Sequence, residues 1–322
     1  MESRGTLKTG HGRIHWIGTL LALFICLILS LAAFADSTIE DNTRLIEANP
    51  KDASAYYDRG RAYYDQKEYD EAIADYTKAI ELNPDYELAY YYRGRAYYAG
   101  EQYEEAIADY SKAIELNPEY ELAYYYRGRS YYAEDRYVEA IVDYSKAIDL
   151  NPNDALNHYN RGRAYFSLNK YGEAITDYTR AIELNPDYEL AYYYRGRAYY
   201  NEDKYDEAIA DYTKAVDLSP DEATNHYSRG NAFYVLKKYD EAISDYTRAI
   251  ELNPDYELAY YNRGRAYYAE EQYEEAIADY SKAIELNPET ARYYENRANA
   301  YEAIGDNDIA AADRQKADEL RE

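Results

Sequence analysis

All eight prolines of this chain fall on one ruler: Pro50, Pro84, Pro118, Pro152, Pro186, Pro220, Pro254 and Pro288 follow one another at intervals of 34 residues, without an insertion. A fixed period of this length means tandem repeats, each one a supersecondary unit that cannot bury its own apolar face and must stack on its neighbours. Counting from the third residue after each proline, full repeats begin at Ala53, Glu87, Glu121, Ala155, Glu189, Ala223 and Glu257. An eighth begins at Ala291 and stops two residues short, at Glu322.

Within a repeat the apolar spacing is helical. Tyr56, Gly60 and Tyr63 fall at i, i+4 and i+7, one face of a first helix. Tyr69, Ala72, Ile73, Tyr76, Ala79 and Ile80 make the apolar face of a second helix. Gly60 and Ala72 are small where the two helices must approach. Proline disfavours helix in the residue before it, so each Asn-Pro type junction ends a second helix. The repeat therefore reads as an antiparallel helix pair, and the stack as a curved, all-helical rod.

Position eight of the repeat is glycine in seven copies, position eleven is aromatic in all, and positions twenty and twenty-seven are always alanine. Position twenty-four is tyrosine in seven copies. With the proline, this pattern resembles the tetratricopeptide repeat family over residues 53–322. The resemblance implies an all-α, right-handed superhelical solenoid of antiparallel helix pairs, used as an interaction scaffold without a cofactor. It also implies a concave groove lined by first-helix positions five, nine and twelve.

Carried onto this chain, those groove positions are Tyr57, Arg61 and Tyr64; Tyr91, Arg95 and Tyr98; and Tyr125, Arg129 and Tyr132. They continue as Tyr159, Arg163 and Phe166; Tyr193, Arg197 and Tyr200; Tyr227 and Tyr234, where Asn231 interrupts the arginines; and Tyr261, Arg265 and Tyr268. Tyr90, Gly94 and Tyr97, on the stripe at four, eight and eleven, are expected to be packed. Tyr91, Arg95 and Tyr98 are expected to look into the groove. The alternative is that the groove tyrosines pack sideways between adjacent first helices while the arginines neutralise nearby acid. The last repeat favours a groove, because Glu295, Asn299 and Glu302 replace the triplet while Tyr294 and Tyr301 are kept. The family's chaperone-tail clamp is not implied, since Tyr57 and Arg61 stand where it needs lysine and asparagine.

Position seven is arginine and position twenty-three aspartate in every repeat. A buried guanidinium needs a carboxylate, so structural ion pairs among Arg59, Asp75, Arg93, Asp109, Arg127 and their equivalents are expected. Residues 36–50 read as a half repeat whose lone helix shields the first repeat. Asp41 in it has no arginine of its own, which suggests that each second helix hands its aspartate forward: Asp41 to Arg59, Asp75 to Arg93. At the other end, Ala298 and Arg314 replace the glycine and the tyrosine of the rule, as suits a terminal cap.

Residues 1–35 form a separate segment. Three basic residues precede an apolar run, 14–35, that lacks Asp, Glu, Lys and Arg and ends in Ala33-Phe34-Ala35. This reads as a secretory signal peptide, giving a periplasmic or secreted protein. An uncleaved anchor across 14–35 is the alternative, and any membrane contact is expected only there. The sole cysteine, Cys26, lies in this segment, so no disulfide is expected beyond it.

A formal charge of −26 repels nucleic acid, and no lysine-rich run offsets it. His158 and His226, two repeats apart, read as packed substitutes for tyrosine rather than metal ligands. No nucleophile elbow, phosphate loop or zinc-protease motif is present, so no enzyme activity is expected. What remains is a scaffold that binds an extended protein or peptide segment, acidic or aromatic. A carbohydrate-binding solenoid in envelope polysaccharide handling and a purely architectural spacer are the alternatives.

Overall fold

The structure is a computed structural model that describes residues 37–321. The segment read as a signal peptide or anchor, 1–35, lies outside the described residues. The chain divides at Leu150/Asn151 into two compact units. The first holds α1 (37–48), α2 (Ala53–Asp65), α3 (Tyr69–Leu82), α4 (Glu87–Ala99), α5 (Tyr103–Leu116), α6 (Glu121–Ala133) and α7 (Tyr137–Leu150). The second holds α8 (Ala155–Ser167), α9 (Tyr171–Leu184), α10 (Glu189–Asn201), α11 (Tyr205–Leu218) and α12 (Ala223–Val235). It continues through α13 (Tyr239–Leu252), α14 (Glu257–Ala269), α15 (Tyr273–Leu286), α16 (Ala291–Ala303) and α17 (Asn307–Glu319). Among the described residues there is no strand, and no helix is long and apolar enough to cross a membrane.

Local chemistry sets the boundaries. Acids such as Glu104 and Glu105 occupy the first turns of second helices, where they favour the helix dipole. The turn inside each pair is a Schellman-type stop: the Gln102 N–H reaches the Tyr97 carbonyl at 2.9 Å, and Glu101 takes a positive φ of 59°. The same turn place is held by Lys67, Asp135, Asn169, Asp203, Lys237 and Glu271, all with positive φ. After the second helix, Asn83 turns extended, and its side-chain oxygen accepts from the Asp85 N–H at 3.2 Å.

Each pair closes on small residues. Ala72, Tyr76 and Ala79 are fully buried. A Cβ added at Gly94 would stand 2.9 Å from the Tyr110 ring, so only glycine lets α4 meet α5 this closely. Within each unit a second helix packs on the first helix of the following pair. Consecutive first helices approach one another closely along their backbones, whereas among the described residues consecutive second helices do not. The first helices therefore line the inner side of each stack.

Candidate peptide-binding face

The position-seven arginines are not part of any open face. Arg59 holds Asp75 by two hydrogen bonds of 2.7 Å, and Arg93 and Arg127 hold Asp109 and Asp143 in the same way. These are partners within one helix pair. The expected forward pairing, Asp75 to Arg93 and Asp41 to Arg59, is thus overturned. Positions seven and twenty-three face each other across the antiparallel pair, which gives the fork a partner before the next pair docks. Asp41 instead lies exposed and pairs with Arg44 at 3.2 Å. What passes forward is a hydroxyl, since Thr43 accepts from Arg59 at 3.1 Å and Thr77 from Arg93 at 2.9 Å.

Position five is a second correction. Tyr57, Tyr91, Tyr125, Tyr159 and Tyr261 are buried, between 2 and 8% exposed, and so cannot line an open groove. They point at the seam where the next pair docks: the Tyr91 ring lies 4.8 Å from Tyr120 and 5.9 Å from Tyr126. The sideways packing weighed as an alternative therefore holds at this position. Tyr193 and Tyr227 are only half-buried. Tyr90 and Tyr97, expected to be packed, are half-buried against the core cluster around Tyr110 and flank the Arg93 guanidinium at 5.7 and 5.9 Å.

Positions nine and twelve do reach the surface. Tyr64, Tyr98, Tyr132, Phe166, Tyr200 and Tyr234 are half-buried, and Tyr268 is exposed. Each meets the first ring of the following helix, as Tyr98 meets Tyr103 at 5.3 Å. The arginines at position nine lie over rings. Arg95 sits 5.0 Å from both Tyr64 and Tyr126, Arg129 4.9 Å from Tyr98, Arg197 5.0 Å from Phe166 and Arg265 4.5 Å from Tyr234. Arg61 and Arg163 lie 4.2 and 5.8 Å from Tyr92 and Tyr194.

Arg95, Arg129 and Arg197 form no ion pair among the described residues, in contrast to Arg93, Arg127 and Arg195 two places before them.

Sequence reasoning missed position six. Tyr92, Tyr126 and Tyr194 supply the rings that the arginines stack on. The signal was available, because six, nine and twelve or thirteen recur at helical spacing on one face. The two most alike repeats also differ there, Tyr92 against Asn262.

The two histidines hold structural places. His158 and His226 are buried, and Nε2 of each lies near the carbonyl of Pro152 or Pro220, at 3.2 and 3.0 Å. Tyr294 makes the equivalent bond to Pro288 at 3.1 Å. Among the described residues no cluster of three or more His, Cys, Asp or Glu side chains could hold a metal.

A family model described as "TPR repeat" matches residues 94–135, 128–168, 162–203, 196–236, 230–269 and 264–305. Models described as "Tetratricopeptide repeat" match residues 53–86 and 75–108. Among solved structures the chain is similar to YrrB, described as a TPR protein with an unusual peptide-binding site. Identity there is 28%, the TM-score is 0.52, and the match covers 57% of this chain and 95% of that one. A MamA structure matches at 28% identity and a TM-score of 0.50, over 52% of this chain and 91% of that one. The C-terminal part of a TPR repeat-containing protein from Cytophaga hutchinsonii shares the fold at 18% identity, with a TM-score of 0.65 and coverage of 74% and 98%. No curated protein matches the sequence.

Proposed function

Because the chain belongs to the tetratricopeptide repeat family, we propose that it is a non-catalytic scaffold that captures an extended, acidic peptide on the first-helix face of its helix pairs. One observation carries this reading. Arg95, Arg129 and Arg197 are held against aromatic faces and form no ion pair among the described residues, in a chain with 62 acidic residues against 36 basic. A guanidinium so placed keeps its charge and its planar donor edge for an incoming carboxylate. Its aromatic neighbours add a desolvated, rigid surface of the kind that dominates binding hot spots. The similarity to a TPR protein described as having a peptide-binding site supports the same class of ligand.

The test is fluorescence anisotropy with labelled peptides of equal length, one rich in glutamate and one in lysine. Binding of the glutamate peptide, weakening as salt is raised, is the expected result. Preference for the lysine peptide would place the ligand on the acidic surface instead and end this reading. The place of action rests on residues 1–35, whose composition supports export. Mass spectrometry of the native protein should then find an N-terminus at Asp36, whereas a membrane-bound form that retains Met1 would point to an anchor.

A further inference from the structure

Repetition makes the chain its own control for what belongs at each junction. Between the first and second repeats, Tyr57 is covered by Tyr86 at 5.0 Å and by the edge-on ring of Tyr92 at 5.8 Å. Tyr92 also lies 6.3 Å from Tyr76, with the Arg61 guanidinium 4.2 Å from its centroid. Tyr126 sits in an equivalent cage, 5.9 Å from Tyr91, 6.1 Å from Tyr110 and 5.0 Å from Arg95. Tyr194 repeats it, 5.9 Å from Tyr159, 6.2 Å from Tyr178 and 5.8 Å from Arg163.

At the junction of the fifth and sixth repeats both covering rings are missing. Glu222 stands where Tyr86 would be, and Ser228 where Tyr92 would be. The cage itself is intact: Tyr193 lies 6.0 Å from Tyr212, the spacing of Tyr57 and Tyr76. Arg197 has Phe166 behind it at 5.0 Å, and Ser228 leaves it no ring from the following repeat. The result is an open cavity of about 380 Å³ lined by Tyr193, Arg197, Tyr212 and Ser228 among others.

We propose that this cavity is a socket for one aromatic side chain, tyrosine or phenylalanine, of a bound peptide. The ring takes the place that Tyr92, Tyr126 and Tyr194 take at their three junctions, whereas Asn160, Asn262 and Asn296 hold it elsewhere: edge-on to Tyr193, beside Tyr212 and against the Arg197 guanidinium. Aromatic pairs favour such offset and edge-on contacts, and the guanidinium adds a cation–π attraction. A volume of this order falls within the range of ligand pockets, about 300–1,000 Å³, and leaves room for one aromatic ring. The proposal rests on the peptide-binding reading above and names the residue such a peptide must carry.

The test uses the full chain and N-acetyl-tyrosinamide, followed by saturation-transfer NMR. Ser228→Tyr plugs the socket with a residue the stack already accepts at Tyr92, and Ser228→Ala keeps it open. The expected result is probe signal with the wild type and Ser228→Ala, and at least a tenfold weaker response with Ser228→Tyr. A glutamate peptide without aromatics should bind wild type and Ser228→Tyr alike, so failure of the socket and failure of the acidic-peptide reading are told apart. Equal probe response from wild type and Ser228→Tyr, or no response from the wild type, would overturn the socket.

Discussion

Arg93 and Asp109 close one helix pair through two 2.7 Å hydrogen bonds, and the remaining Arg93 nitrogen reaches Thr77 of the preceding repeat at 2.9 Å. One residue thus does two jobs: its fork locks the pair, and its third donor ties that pair to the one before. Both side chains are mostly hidden, 17 and 7% exposed. Removing Asp109 as Asp109→Ala leaves a buried guanidinium unpaired and should cost about 3–5 kcal/mol. Thr77→Val removes one hydrogen bond and should cost about 0.5–1.5 kcal/mol. Urea unfolding of the two variants should rank them in that order. Equal losses, or the reverse order, would mean that the pair is not what locks the repeat.

Two glycines six residues apart, Gly94 and Gly100, should behave differently. A Cβ at Gly94 meets the buried Tyr110 ring at 2.9 Å, and that ring has no room to retreat. Gly94→Ala should therefore lose about 1–3 kcal/mol through overpacking. Gly100 has φ of −89° and no atom nearer than 3.6 Å to an added Cβ. Gly100→Ala should be neutral or slightly stabilising in the same thermal melt. A larger loss at Gly100 than at Gly94 would contradict the close approach of α4 and α5.

The phenols govern behaviour at high pH. Burial pushes Tyr76, Tyr91, Tyr110, Tyr212, Tyr246 and Tyr280 well above the usual range, and Tyr86 up to about 12. In the unfolded chain they ionise near pH 10, the ordinary value for a tyrosine phenol. With the folded value higher, their contribution is complete below about pH 10 and is lost as pH climbs through the folded values, because the unfolded chain releases protons first. Near-ultraviolet absorbance should show exposed tyrosines ionising gradually, then a steep step that coincides with loss of helical circular dichroism. One smooth ionisation that leaves the helices intact would show that these rings are open to solvent.

Much of this was legible in the sequence, and the failures have physical causes. The proline ruler, the invariant alanines and the glycine at position eight fixed the helix pair, because close packing leaves no choice at those places. Position five was misjudged because a helical wheel describes one helix, and this ring is buried by Tyr86 and Tyr92 of the next layer. The forward Asp75–Arg93 pairing failed because the half repeat suggested that the aspartate travels, when Thr43 and Thr77 are what cross. Position six escaped notice because its tyrosines are replaced by Asn160, Ser228 and Asn262 in later repeats. Of these, Ser228 is the one that opens the cavity beside Tyr193.

The most direct test of the scaffold reading is the affinity of the glutamate peptide for a chain carrying Arg95→Ala, Arg129→Ala and Arg197→Ala. These arginines lie on aromatic faces and form no ion pair among the described residues, so the variant should keep its helical circular dichroism. Its affinity should fall at least about tenfold, or about 1.4 kcal/mol, and its salt dependence should flatten. A variant that unfolds while binding the peptide as tightly per folded molecule would show that the arginines serve the stack alone and that no acidic ligand is read there.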